Sequence, residues 1–157
     1  MFSRKLKKGI IIATAVFVIL FIGEEFVRRV LGGLAGSYPF AESWNIAAKE
    51  SDVIKAIESL KSDNPNLKPP KDSSFRYSYW YYADFYYLDT RQTVHAWTRP
   101  GTNEFTTDLA FVSISNSYNK EDKLINKDFW YLANRREINK FKRLIVDKLE
   151  QKLYSSK

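Results

Sequence analysis

The sequence predicts an α+β protein: a single N-terminal transmembrane helix followed by a two-layer α-β-β-β-α domain with a three-stranded antiparallel meander sheet. Three observations predict it. Gly9 to Gly23 (GIIIATAVFVILFIG) runs without a charge. Phe75 to Leu88 (FRYSYWYYADFYYL) is dense in aromatics and breaks the helical period of the segment before it. Short turn-forming connections then separate that stretch from two further β-type runs, which makes the strands antiparallel neighbours.

As a helix, Gly9 to Gly23 is about 22 Å long at ~1.5 Å per residue, short of a ~30 Å hydrocarbon core. Leu6, Phe26 and Val27 lengthen the apolar run, and Lys7 and Lys8 can snorkel to headgroups. Glu24 with Arg28 and Glu25 with Arg29 are i,i+4 pairs that carry the helix past the membrane surface. A cleaved signal peptide is the competing reading, but charged and bulky residues 24–29 fill the window where small residues would mark cleavage. Arg4, Lys5, Lys7 and Lys8 precede the helix and only Arg28 and Arg29 follow it, which predicts a cytoplasmic N-terminus and an extracytoplasmic domain. Gly9 and Ala13 form a small-xxx-small pair suited to helix pairing, a spacing also common by chance.

The predicted organisation is a basic cytoplasmic segment at 1–8, a transmembrane and juxtamembrane helix at 9–31, a Gly-rich linker at 32–40 and a soluble α+β domain at 41–157. In the domain, Ser51 is positioned to cap a helix with Val53, Ile54, Ile57 and Leu60 on one face and Lys55, Glu58 and Lys61 on the other. Ser43 starts an earlier turn, with Ile46, Ala47 and Ala48 extending the helix backwards. Asp63-Asn64-Pro65 ends it, and residues 63–74 read as a loop. Strands follow at Tyr79 to Leu88, Thr93 to Arg99 and Thr107 to Ser115, the last two separated by the Pro100-Gly101-Thr102-Asn103 turn. Residues 116–123 read as a polar loop. Asn134 with Glu137 resembles a capping box opening a last helix whose apolar face is Ile138, Phe141, Ile145, Leu149 and Leu153.

Composition narrows the function. Of 157 residues, 45% are hydrophobic and 16% aromatic, which excludes a disordered chain. More than half of the +7 net charge belongs to the N-terminal region, where it has a topological meaning, so the basic balance does not imply a nucleic-acid partner. The absence of cysteine excludes disulfides, thiolate metal sites, a cysteine nucleophile and lipoprotein acylation. No acidic cluster has ligand spacing, so neither a metal nor a cofactor is expected.

What remains is the sheet. Both faces of its strands are too apolar for one to be simply solvated. One reading is an aromatic-rich binding face, with Tyr79, Tyr81, His95, Trp97 and Arg99 as candidate contacts, though aromatic strands are more often packing. The bland alternative is that residues 37–50 or 124–133 cover that face and make it core. His95 is the only histidine, with Asp84 as a candidate cross-strand neighbour, and Ser113 and Ser115 lack a nucleophile-elbow context. Basic residues Arg135, Arg136, Lys140, Lys142 and Arg143 crowd the last helix, either as a solvated face or as a patch for anionic headgroups. The expected function is a non-enzymatic binding or complex-assembly protein, anchored in the bilayer through residues 9–31 and engaging a protein partner. An immunity-type inhibitor of an incoming toxin is a second reading. A glycan- or peptide-binding module or a hydrolase is a third.

Overall fold

The computed structural model describes residues 4–30, 38, 40–70, 75–77, 79–116 and 121–155, and it divides into two compact units, Met1–Pro39 and Phe40–Lys157. The Gly-rich break, residues 117–120 of the loop expected at 116–123 and the side chains of Arg28 and Arg29 lie outside the described residues.

The first unit holds helix α1 (Arg4–Val30). Within it Lys7–Val27 is long and apolar enough to cross a membrane, a property that a signal sequence shares. Its apolar side chains face outward all round, with Ile12 64%, Phe17 70% and Leu20 68% exposed. That pattern sets it apart from an amphipathic helix, which turns one apolar stripe to a core.

The second unit is mixed helix and antiparallel sheet, as the sequence predicts. Strands β3 (Trp80–Tyr87), β4 (Gln92–Pro100) and β5 (Thr107–Asn116) form the expected meander. Three short strands enlarge it to six: β1 (Glu42–Ile46), β2 (Phe75–Tyr77) and β6 (Asp122–Leu124). The order is β1-β5-β4-β3-β2, with β6 also paired to β5. β1 takes the β5 edge opposite residues 107–111 and β6 the same edge opposite 113–115. Segments 42–46 and 122–124 thus widen the sheet instead of covering a face. The helical turn expected from Ser43 to Ala48 is strand up to Ile46, because Trp44 and Ile46 alternate inward along the open β5 edge.

Helix α2 (Glu50–Asp63) packs on the inner face through Val53, Ala56, Ile57 and Leu60. Its first residue follows Lys49, and no side chain caps it, so Ser51 lies inside the first turn. Lys61, expected on the solvent face, is 3% exposed: its ammonium reaches Glu58 at 3.4 Å and lies 5.4 Å from the Phe85 ring centre. A long aliphatic stem lets it fill apolar space while the charge finds a carboxylate and an aromatic face.

The last helical segment starts earlier than Asn134. Helix α3 (Tyr131–Phe141) passes through a π-helical turn, Lys142–Val146, into α4 (Asp147–Ser155). Asn134 is a buried residue within α3, not its cap. Its amide instead clamps Asn126, accepting from the Asn126 N–H at 2.8 Å and donating to the side-chain oxygen at 2.7 Å. That grip suits Asn126's left-handed backbone, φ 63°. The π turn has its own logic. Phe141, Ile145 and Leu149 recur every four residues, a spacing that drifts round a regular α-helix, and the wider turn keeps all three buried on one stripe.

Phe141 is the centre of the core. Its ring stacks on Phe111 at 4.6 Å and Trp44 at 5.4 Å and meets Phe85 edge-on at 6.0 Å. Beside this core, the Tyr87 hydroxyl is buried without a hydrogen-bond partner among the described residues, under the Lys140 ammonium at 4.1 Å from the ring. Burial, then Glu137 and Asp89, push its pKa far above the ordinary phenol value. Tyr87→Phe keeps the ring and removes an unsatisfied donor, so urea unfolding is expected to show a gain of about 1 kcal/mol.

Candidate functional site

The outer sheet face, opposite α2, α3 and α4, carries the polar chemistry of the domain. Strand alternation puts Tyr81, Ala83, Phe85 and Tyr87 of β3 on the helix side and Trp80, Tyr82, Asp84 and Tyr86 on the outer side. On β4, His95, Trp97 and Arg99 face outward. β5 would present its serines inward were it regular. Its pairing with β4 skips Val112, so Leu109 opposes Thr98 but Ser113 opposes His95. This bulge turns Ile114 into the core and Ser113 and Ser115 outward.

Three strands then meet in one polar chain. His95 Nδ1 lies 2.8 Å from Asp84 Oδ1, and Nε2 lies 2.9 Å from Ser115 Oγ. Asp122 Oδ1 on β6 is 3.7 Å from Nε2. An ionised carboxylate only accepts, so Nδ1 carries a proton toward Asp84 and the neutral ring accepts the Ser115 hydroxyl at Nε2. When protonated, Nε2 donates to Ser115 and faces Asp122. Burial opposes that charge, but the hydrogen bond and charge of Asp84, with Asp122 behind them, outweigh it and raise the His95 pKa above the usual imidazole value.

A raised folded-state pKa stabilises the fold most when the ring is charged. The contribution is complete below the unfolded value of about 6.5 and fades as pH rises through the folded value. A proton NMR titration of this single histidine is expected to show a midpoint above ~6.5. His95→Gln is expected to flatten the pH dependence of stability across that window.

Next to this chain sits an aromatic cluster. Trp80 meets Trp97 edge-on at 4.4 Å and Tyr79 at 5.9 Å. The Arg99 guanidinium lies 5.4 Å and 5.5 Å from the two indole centres. Arg99 Nε and Nη2 donate to Asp108 Oδ2 at 3.2 and 3.1 Å, while Asn45 holds Oδ1 at 3.0 Å. The arginine is thus fixed by a carboxylate and two rings, with 41% of its side chain exposed.

Of the residues the sequence singled out, His95, Trp97 and Arg99 come together on the outer face, and Tyr79 joins them from the β2–β3 turn. Tyr81 lies on the other side, where its hydroxyl donates to Glu58 of α2 at 2.8 Å. Trp97 is 5% exposed, so Tyr79, Trp80 and Arg99 present most of the cluster's surface. Sequence reasoning missed Trp80, Asp108 and Ser115 as members. Trp80 and Asp108 could have been placed by alternation along their strands; Ser115 could not, because its facing depends on the bulge.

Among the described residues no group of three or more histidine or acidic side chains is arranged to hold a metal. No family model, no curated protein and no solved structure matches this chain.

Proposed function

We propose that this chain is a membrane-anchored, non-enzymatic binding or complex-assembly protein. Its N-terminus lies in the cytoplasm, and its α+β domain, outside it, engages a protein partner through the outer sheet face. The observation that carries this reading is the Tyr79–Trp80–Trp97–Arg99 cluster. Tyrosine, tryptophan and arginine are the residue types that dominate binding hot spots, and rings held edge to edge with a pinned guanidinium lose little entropy on contact. Tyr79, Trp80 and Arg99 stand outside the core cluster of the helix side, and buried Trp97 supports them from below. The basic residues ahead of α1 support the orientation. Tethering supports the affinity, because confinement to one membrane raises effective concentration and lets a small contact suffice.

A photo-crosslinking side chain at position 79, in the full chain in its native membranes, is expected to yield one discrete protein adduct. Arg99→Ala or Trp80→Ala should abolish it, and the same probe at Lys55 on α2 should not form it. A ladder of adducts, insensitive to both substitutions, would remove the reading.

One observation favours a second reading. The order carboxylate–Nδ1, Nε2–hydroxyl in Asp84, His95 and Ser115 is that of a nucleophilic triad. Two features weigh against hydrolysis. Ser115 is paired on both sides, to Thr93 and to Asp122, so the backbone amides around it are committed to strand pairing instead of an oxyanion. The Asp122 carboxylate also faces the spot where negative charge would develop. A fluorophosphonate probe is accordingly expected to leave Ser115 unlabelled; labelling lost in Ser115→Ala and His95→Gln would move the protein to the hydrolases.

A further inference from the structure

The helix side of the sheet carries an exposed apolar feature of its own. At the start of α3 the chain alternates: Phe129 packs against the core, while Trp130 and Leu132 point out, 68% and 74% exposed. Leu132, Arg135 and Arg136 stand at i, i+3 and i+4, on one helix face, and both arginines are exposed. The basic crowd seen in the sequence is divided here. Lys140 is bound to Asp89 at 2.9 Å and Lys142 to Asp147, Arg143 belongs to the π turn, and Arg136 and Arg135, the latter 5.7 Å from the Tyr131 ring centre, stand beside Trp130 and Leu132.

The position of this patch along the chain path is its second property. Phe40, the first residue of the domain after the N-terminal unit, gives its carbonyl to Asn126 Nδ2 at 3.2 Å. The Lys127 ammonium lies 5.4 Å from the Phe40 ring centre. Asn126 is clamped to Asn134 of α3, so Phe40, Lys127 and the start of α3 are neighbours within the domain. The stretch between Val30 and Phe40 extends at most about 35 Å. Two nearby carboxylates are engaged within the domain, Asp128 accepting the Leu124 N–H at 2.8 Å and Glu42 the Asn126 amide at 3.0 Å, while Glu137 lies near Arg136.

We propose that Trp130, Leu132, Arg135, Arg136 and Lys127 form a lipid-contact patch that seats the tethered domain on the anionic headgroups of the membrane holding α1. An indole and a leucine beside two arginines suit the interface between headgroup and acyl chain. Each basic residue near an anionic surface adds attraction that salt weakens. The tether makes docking intramolecular. This inference rests on α1 being a membrane anchor.

The chain has no cysteine, so Leu132→Cys accepts a single spin label in the full-length protein, reconstituted into phosphatidylcholine vesicles with and without phosphatidylglycerol. Glu104→Cys, on the exposed β4–β5 turn, is the aqueous reference. In anionic vesicles the label at 132 is expected to lose accessibility to a nickel chelate and gain it to oxygen, while the label at 104 stays in water. Arg135→Glu with Arg136→Glu should lower the ratio of docked to free domain by at least about fivefold per residue and restore nickel access. Equal nickel access at 132 and 104, in protein that floats with the vesicles, overturns the patch and spares the anchor. Protein that does not float overturns the anchor itself. Protection at 132 that persists in detergent and disappears on dilution assigns the surface to a second copy of the chain and also overturns the proposal.

Discussion

Phe141→Ala is expected to destabilise the domain by about 3–5 kcal/mol, close to the whole stability of many domains of this size. Phe141 is fully buried and touches three aromatic rings from three strands: Trp44 on β1, Phe85 on β3 and Phe111 on β5. Its removal opens a cavity that those rings cannot close, because each is held by its own strand. β1 suffers most, since Trp44 anchors a five-residue edge strand. Urea unfolding followed by tryptophan fluorescence checks the size of the loss, and Phe141→Leu, which keeps most of the volume, should lose much less. A loss below ~1 kcal/mol for the alanine variant would mean that this is not the centre of the core.

The second large effect concerns α1. Val16→Arg with Phe17→Arg puts two charges at the middle of Lys7–Val27, each costing about 2.5–3.5 kcal/mol for insertion. The variant is expected to leave the floating fraction of a density gradient. The unfolding curve of the domain should not move, because every residue of the buried core lies in the second unit. A variant that floats as well as the native chain would show that residues 16 and 17 do not sit in hydrocarbon.

Much of this fold was legible, for identifiable reasons. The meander could be read because aromatic and β-branched runs are interrupted by strong turn residues. Gly101 shows how strong: an added Cβ there would meet Thr106 Oγ1 at 2.3 Å. The three short strands were less legible. β2 and β6 have three residues each, too few to carry a period, and exist only through their partners. β1 did carry one in Trp44 and Ile46, but Ile46-Ala47-Ala48 also suits a helix, and only the free edge of β5 decides between them.

The site was half legible for the same kind of reason. The opposition of Asp84 and His95 follows from a short β3–β4 turn. Ser115 joins them only because one residue, Val112, drops out of register. A single bulge inverts the facing of everything after it, and no local signal in TDLAFVSIS announces it. Lys61 illustrates the limit for charge: helical spacing does not reveal that a lysine stem will fill a gap beside Phe85.

Alkaline carbonate extraction of the native membranes tests the central claim most directly, read by mass spectrometry of the domain-bearing chain on each side of the separation. The account predicts that the domain stays in the pellet, still joined to residues 7–27. Domain in the supernatant, or a chain in either fraction that begins after that segment, would contradict it.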